Sequence, residues 1–405
     1  MSKIYLDYAA STPVKPAVLK AALPYFSKNF GNPSSIHSFG RIARKAIDES
    51  RTKIAKFFNC KNSEIIFTSG ATESDNLVIF GIANAKKSDG NHIITTKIEH
   101  HAVLESCKKL EKEGFKITYL PVSKDGIIDL KTLEKSITAK TILVSIMYVN
   151  NETGVVQPIR EIGKMLKKIN KTRKNKIIFH TDAVQAIQSQ NCNVQFLHCD
   201  ALSFSGHKIN APKGIGGLFV RKGTPIEHQI FGGHHELNLR AGTENVAGIV
   251  ALAKAIELMN QKDVQYLKNL QKKFEVKIKK LIPDIQINGE KVDRAPHISN
   301  ISFDFVEGES ILINLDLEGI AVSTGSACAS GALEPSHVLI AMYHDPLKAH
   351  GSVRFSFGLE TKKSEIDIVL KKLQTIIARL RKISPYKSEF SKNSKSSKIS
   401  KLINK

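Results

Sequence analysis

From about residue 60 onward, short runs of apolar and β-branched residues alternate with longer stretches in which apolar side chains recur every three or four positions. The short runs, at 64–67, 92–95, 116–120, 141–147, 176–182 and 201–205, predict strands. The longer stretches, such as 102–113, 130–136 and 159–169, predict amphipathic helices. Nearly continuous apolar strands separated by helices imply a mostly parallel sheet covered on both faces. Sites in such sheets lie at the carboxyl ends of the strands. The alternation changes at 247–282, a long helical stretch with a break at 259–263. Beyond it a strand at 297–304, a helix at 308–317, a strand at 352–357 and a helix at 364–381 predict a smaller α+β domain. The expected organisation is an N-terminal arm with a large domain over 1–255 and a small domain over 256–385. A Lys/Ser-rich tail, 386–405, has almost no apolar periodicity and is expected to be disordered.

Composition narrows the class. The chain has 405 residues, 41% hydrophobic and 24% charged, which suits a sizeable core and excludes wholesale disorder. Its apolar runs, such as 146–149, are far shorter than the roughly 18–20 residues of a bilayer span. Asp7 interrupts the N-terminus before a signal-peptide core can form, so a soluble, cytoplasmic protein without a membrane partner is expected. The net charge is +22, from 60 basic and 38 acidic residues. Lysine supplies 49 of the 60, whereas arginine, suited to bidentate phosphate recognition, supplies 11. A lysine-biased surface accounts for the charge better than a nucleic-acid partner does. The five cysteines, at 60, 107, 192, 199 and 328, form no CxxC pair. That argues against a disulfide framework or zinc site and for a reducing compartment.

Three local patterns carry chemistry. Ser205-Gly206-His207-Lys208 directly follows the strand at 201–205. Lys208 reads either as an ordinary loop residue or as a Schiff-base amine, which must be partly desolvated to attack a carbonyl near neutral pH. Asp182 ends the strand at 176–182, 26 residues earlier. Alone it reads as a helix cap. Beside such a lysine it suits the ring nitrogen of pyridoxal phosphate, which serves as an electron sink only while protonated. Gln185 then falls in reach of the ring hydroxyl. The third pattern, Thr68-Ser69-Gly70-Ala71-Thr72-Glu73-Ser74, joins a strand to a helix through small residues and leaves backbone N–H groups for a phosphate. In this order the three predict a pyridoxal-phosphate site. His100-His101 lack an acidic or cysteine partner at metal-ligand spacing, so one imidazole is expected to stack on the cofactor and act in acid–base chemistry, with helix capping as the alternative. Ten small residues run from Ser323 to Ala332 and cannot build a core. Cys328, near their centre, reads as a working nucleophile, and the other four cysteines as inert.

The segments TSGATESDN, TKIEHHAVLE, NNETG, HTDAVQA, SFSGHK, RAGTEN, STGSACASG and HGSVRFSFG resemble, in order, the motifs of NifS/IscS-type cysteine desulfurases. The resemblance spans about residues 4 to 386. It implies a homodimer of the aspartate-aminotransferase-like α/β fold (fold type I of pyridoxal-phosphate enzymes). Lys208 would carry the cofactor, Asp182 would pair its ring nitrogen, Gln185 would contact its ring oxygen and His100 would stack on the ring. Ala71, Thr72, Ser205 and His207 would bind its phosphate, and Thr243 would reach the phosphate of the neighbouring subunit. Asn151 and Arg354 would hold the carboxylate of L-cysteine. Cys328 would take the sulfur as a persulfide, releasing L-alanine and supplying a sulfur acceptor such as an iron–sulfur scaffold protein, or tRNA thiolation at one remove. No resident metal is implied; at most Cys328 would ligate an iron–sulfur cluster transiently. The alternatives are a selenocysteine lyase or aminotransferase of the same fold, which need no loop cysteine, and a basic binding protein.

Overall fold

A computed structural model describes residues 3–324 and 335–384. The chain opens with a short strand, β1 (Ile4–Tyr5), and then builds a seven-stranded sheet. Its strands are β2 (Ile65–Thr68), β3 (His92–Thr96), β4 (Lys116–Leu120), β5 (Thr141–Ser145), β6 (Ile178–Asp182), β7 (Ala201–Ser205) and β8 (Gly216–Val220), in the spatial order β2-β8-β7-β6-β5-β3-β4. All pairings are parallel except those of β8, which runs against both β2 and β7.

Alternation explains why helices cover both faces. Phe67, Val144, Phe179 and Phe204 point into one apolar cluster with residues of the helices Ser38–Phe58 and Val246–Glu257. Their neighbours Ile66, Leu143 and Ile178 point into another with the helices Ala71–Ala85 and His101–Lys112. Successive side chains of a strand face opposite ways, so a sheet buried on both sides needs apolar residues at every position.

After the helix Gln261–Leu281 the chain forms a separate antiparallel sheet from β9 (Ile285–Ile287), β10 (Ile298–Phe303) and β12 (Ser352–Ser356), in the order β12-β10-β9. The helices Gln261–Leu281 and Lys363–Ile383 bury Phe274, Ile278, Leu370 and Leu373 in its apolar cluster. Ile4 and Leu6 belong to this cluster too, because β1 pairs in parallel with β11 (Ile320–Ala321). The N-terminal segment therefore starts in the C-terminal cluster and crosses to the large sheet.

The expected strands and helices are present, with ends shifted by a few residues. Several elements have no counterpart in that reading, among them the helix Ser38–Phe58 and the strands β8, β9 and β11. A side chain at Gly216 would come within 2.7 Å of Gly70 Cα, and one at Gly217 would strike the Phe204 ring, so the close approach needs glycine there. Among the described residues no helix is long and apolar enough to cross a membrane.

Candidate active site

The carboxyl ends of β2, β3, β5, β6 and β7 converge on one cavity of about 560 Å³. It brings together Ala71, Thr72, His100, Asn151, Asp182, Gln185, Ser205, His207, Lys208 and Arg354, which are separated by up to 283 residues in sequence.

Asp182 is the last residue of β6 and accepts the Val184 N–H on Oδ1 at 2.9 Å. Burial pushes its carboxyl above the ordinary range, opposed by that bond and by the Lys208 charge. His180, two residues earlier, is fully buried between Ser145 Oγ at 2.9 Å and Ser203 Oγ at 3.0 Å. Burial pushes His180 down to about 3, so it is neutral. Its Nε2 lies 3.6 Å from Oδ1 of Asp75, an oxygen without a hydrogen-bond partner among the described residues.

Lys208 closes a short turn after β7. Its Nζ donates to the carbonyls of Ala9 at 2.6 Å and Ala10 at 2.8 Å. Gln185 Nε2 donates to Ala9 O as well, at 2.9 Å, and its Oε1 lies 3.0 Å from Nε2 of the buried His297. The crossing N-terminal segment thus supplies acceptors for the site's ammonium group.

The helix Ala71–Ala85 begins at Gly70 with no side-chain cap, which leaves its first N–H groups without intrahelical partners at the cavity wall. Ser74 Oγ, bonded to Thr68 Oγ1 at 2.8 Å and Gly217 O at 3.1 Å, pins that helix to β2 and β8. His207 lies beside it, with Nδ1 3.5 Å from Ser11 Oγ. Burial and the Lys208 charge push His207 down to about 4.

His100 caps a helix, as one of its two readings had it, and also lines the cavity. Its Nδ1 accepts the Ala102 N–H at 3.2 Å at the start of the helix His101–Lys112. Burial, then Lys208 and two neighbouring histidines, push it down to about 4. A neutral imidazole that accepts on Nδ1 carries its proton on Nε2. His101 faces outward, its ring 4.9 Å from that of His337.

Arg354, on β12, is buried. Its Nη1 donates to Asn151 O at 2.8 Å and its Nη2 to Asp7 Oδ1 at 2.9 Å, while Nε has no partner among the described residues. Its backbone exchanges hydrogen bonds with Ser323, at 3.2 and 2.7 Å. On the far side of 325–334, Ser336 Oγ donates to Glu152 Oε2 at 2.5 Å and His337 Nε2 lies 3.0 Å from Glu99 O. The chain entering and leaving 325–334 is therefore fastened beside the cavity. Cys328 itself lies outside the described residues.

Thr243 is exposed and does not line the cavity. Arg240, three residues before it, pairs with Glu73 at 3.1 Å, and Glu73 accepts the Ser69 N–H at 2.9 Å. Sequence reasoning missed Asp7, Ala9, Ala10, Asp75 and His297. The one available signal was Asp7 between Leu6 and Tyr8, a charge in an otherwise apolar run followed by two small residues.

A family model described as aminotransferase class-V matches residues 4–369. The cysteine desulfurase IscS of Dictyoglomus turgidum is 52% identical over 397 residues, covering 97% of this chain and 99% of that protein. The chain belongs to the cysteine desulfurases of the class-V aminotransferase family. A solved NifS-like protein superposes with a TM-score of 0.86 at 36% identity, covering 93% of this chain and 100% of that one. SspA, solved in complex with cysteine, gives a TM-score of 0.79 at 36% identity over 88% of this chain and 99% of that one.

Proposed function

We infer that the protein removes sulfur from L-cysteine, yields L-alanine and holds the sulfur as a persulfide on Cys328 for delivery to iron–sulfur cluster assembly. The observation that carries this reading is the meeting, in one cavity, of Lys208, Asp182, the uncapped N-terminus of Ala71–Ala85 and Arg354. That donor set fits pyridoxal phosphate: an amine for its aldehyde, a buried carboxylate for its ring nitrogen, and free N–H groups with Ser205 and His207 for its phosphate. When bound, the cofactor supplies an electron sink for charge developing on the substrate carbon.

The chain's own residues do the rest. Arg354 and Asn151 hold the substrate carboxylate. His100 offers a hydrogen bond from Nε2, since its Nδ1 is engaged by Ala102. The Lys208 amine is the group that would move the α-proton. The Cys328 thiolate forms a bond to the substrate sulfur as the carbon–sulfur bond breaks; that electron pair stays on carbon, which takes a proton and leaves as L-alanine. The anchoring of Ser323 and Ser336 beside the cavity supports the delivery of Cys328 to it.

Two further parts of the reading have separate support. Exposed apolar residues at Phe26, Phe30, Ile36 and Phe39 suit a homodimer, in which Thr243 would reach the partner's cofactor phosphate. Cys60, Cys107, Cys192 and Cys199 are free, in keeping with a reducing, cytoplasmic setting.

Incubating the holoenzyme with L-cysteine and a reductant, then assaying alanine and sulfide, tests the activity. Cys328→Ser should still change the cofactor's visible absorption on adding cysteine but accumulate neither product. Alanine release by that variant at the wild-type rate would overturn the persulfide step.

A further inference from the structure

Arg354 is an arginine with almost no exposed surface, and such a cation needs a counter-charge before any substrate arrives. Asp7 is that counter-charge, 2.9 Å from Nη2, and Asn151 O holds Nη1 at 2.8 Å. Among the described residues, each end of the fork is fastened by one protein acceptor and the buried Nε by none. A guanidinium has five N–H donors in a rigid plane, so donors remain after both contacts are made.

The segment carrying Asp7 is itself held by bonds that do not involve its carboxylate. Ser356 N donates to Leu6 O at 2.7 Å, and Ala9 N donates to Ser356 Oγ at 2.9 Å. Tyr5 Oη lies 3.0 Å from the Asp7 carbonyl oxygen and 2.9 Å from that of Ser11, which share its one proton. Ser356 follows Arg354 by two residues on β12, so strap and guanidinium stand in fixed register.

We propose that Asp7 is a positioning residue for substrate recognition: its carboxylate orients the Arg354 guanidinium so that the remaining donors receive the α-carboxylate of the amino-acid substrate. This rests on the reading that Arg354 binds that carboxylate. Asp7 does not touch the substrate; it acts through Arg354. Because the strap's backbone bonds persist without the Asp7 carboxylate, the substitution alters orientation and charge compensation rather than the path of the chain.

The test compares two ligands that differ by a carboxylate, L-alanine and ethylamine, titrated into the holoenzyme and read by the change in visible absorption without turnover. Asp7→Ala should weaken L-alanine about tenfold, as expected for a lost hydrogen bond to a charged group, and leave ethylamine unchanged. Asp7→Asn, which keeps an acceptor oxygen but no charge, should give a smaller loss. Arg354→Gln serves as the reference and should erase the preference for L-alanine altogether. If Arg354→Gln keeps that preference, the reading of Arg354 falls and the proposal falls with it. If Arg354→Gln erases it while Asp7→Ala binds L-alanine as tightly as wild type or tighter, only the role given to Asp7 is overturned. Equal weakening of both ligands by Asp7→Ala would mark general damage to the cavity and overturn it as well.

Discussion

His180 and Asp182 share one face of β6, yet burial acts on them in opposite directions: the imidazole is held neutral, down to about 3, and the carboxyl is pushed up. A histidine whose folded value lies below its unfolded one contributes stability that is complete above the unfolded value and is lost as pH falls toward the folded one. From about pH 6.5 down to about 3, an unfolded chain takes up a proton that folded His180 refuses. Glu99, pushed up to about 8 by burial, works the other way, because acid relieves the cost of its charge. The difference between wild type and His180→Gln isolates one group. The variant's melting temperature should fall less steeply than wild type between pH 6.5 and 4, measured by thermal unfolding of the apoprotein; parallel curves would show that His180 titrates normally. Lys208→Ala should abolish turnover and the visible band of the lysine-bound cofactor, and a borohydride-reduced wild-type peptide labelled at Lys213 instead would reassign the amine.

β8 shows how an element can be functional through what it lacks. Its two leading glycines let the strand pass against Gly70 and the Phe204 ring, and this packing sets the height of the helix whose N-terminus walls the cavity. Gly216→Ala would place a methyl group 2.7 Å from Gly70 Cα and 2.8 Å from Phe204 O, both backbone atoms that cannot swing aside. Overpacking of this kind costs about 1–3 kcal/mol. Here the strain falls on the turn between β2 and the helix Ala71–Ala85, so cofactor retention should drop more than stability does. Dialysis of the holoenzyme, followed by absorbance and a melting curve, separates the two. Unchanged retention with a lowered melting temperature would limit β8 to a packing role.

At the scale of the molecule, seven large apolar side chains between Leu19 and Ile42 are exposed. Ile36 is 91% exposed and Phe26 and Phe30 each 68%, with the Phe30 and Phe39 rings 5.7 Å apart. Phe231 and Leu237 are exposed on the stretch leading to Thr243. That stretch has a buried anchor: Glu236 accepts from Arg51 Nη1 and Nη2 at 3.0 and 2.6 Å and from Phe67 N at 2.8 Å. Glu236, Leu237 and Asn238 all have positive φ, a conformation held only where surrounding contacts enforce it. Anchored, exposed apolar segments of this kind suit the homodimer inferred above. Phe39→Asp should convert a dimer to a monomer in sedimentation equilibrium and, by removing the partner's Thr243, weaken cofactor retention. A variant that sediments like wild type would remove this face from the dimer contact.

The groups Thr68–Thr72, Asp182 and Ser205–Lys208 were legible in the sequence because each follows its own strand, and a parallel sheet carries the carboxyl ends of its strands to one edge. The α/β class was legible for a related reason, since burial on both faces writes itself as uninterrupted apolar runs. Local order could not reveal Asp7 against Arg354, Ala9 and Ala10 under Lys208, or His297 against Gln185. These pairs join the first residues of the chain, the large sheet and the C-terminal sheet across 112 to 347 positions, and no spacing or periodicity records such a contact. β8 was hidden too, because glycine reads as loop until the neighbour that forbids a side chain is known. Composition and chain order determined which chemistry this protein carries. Which acceptors hold Lys208 and Arg354 was decided by tertiary packing, because charges buried far apart in sequence find their partners only after the sheets have brought them together.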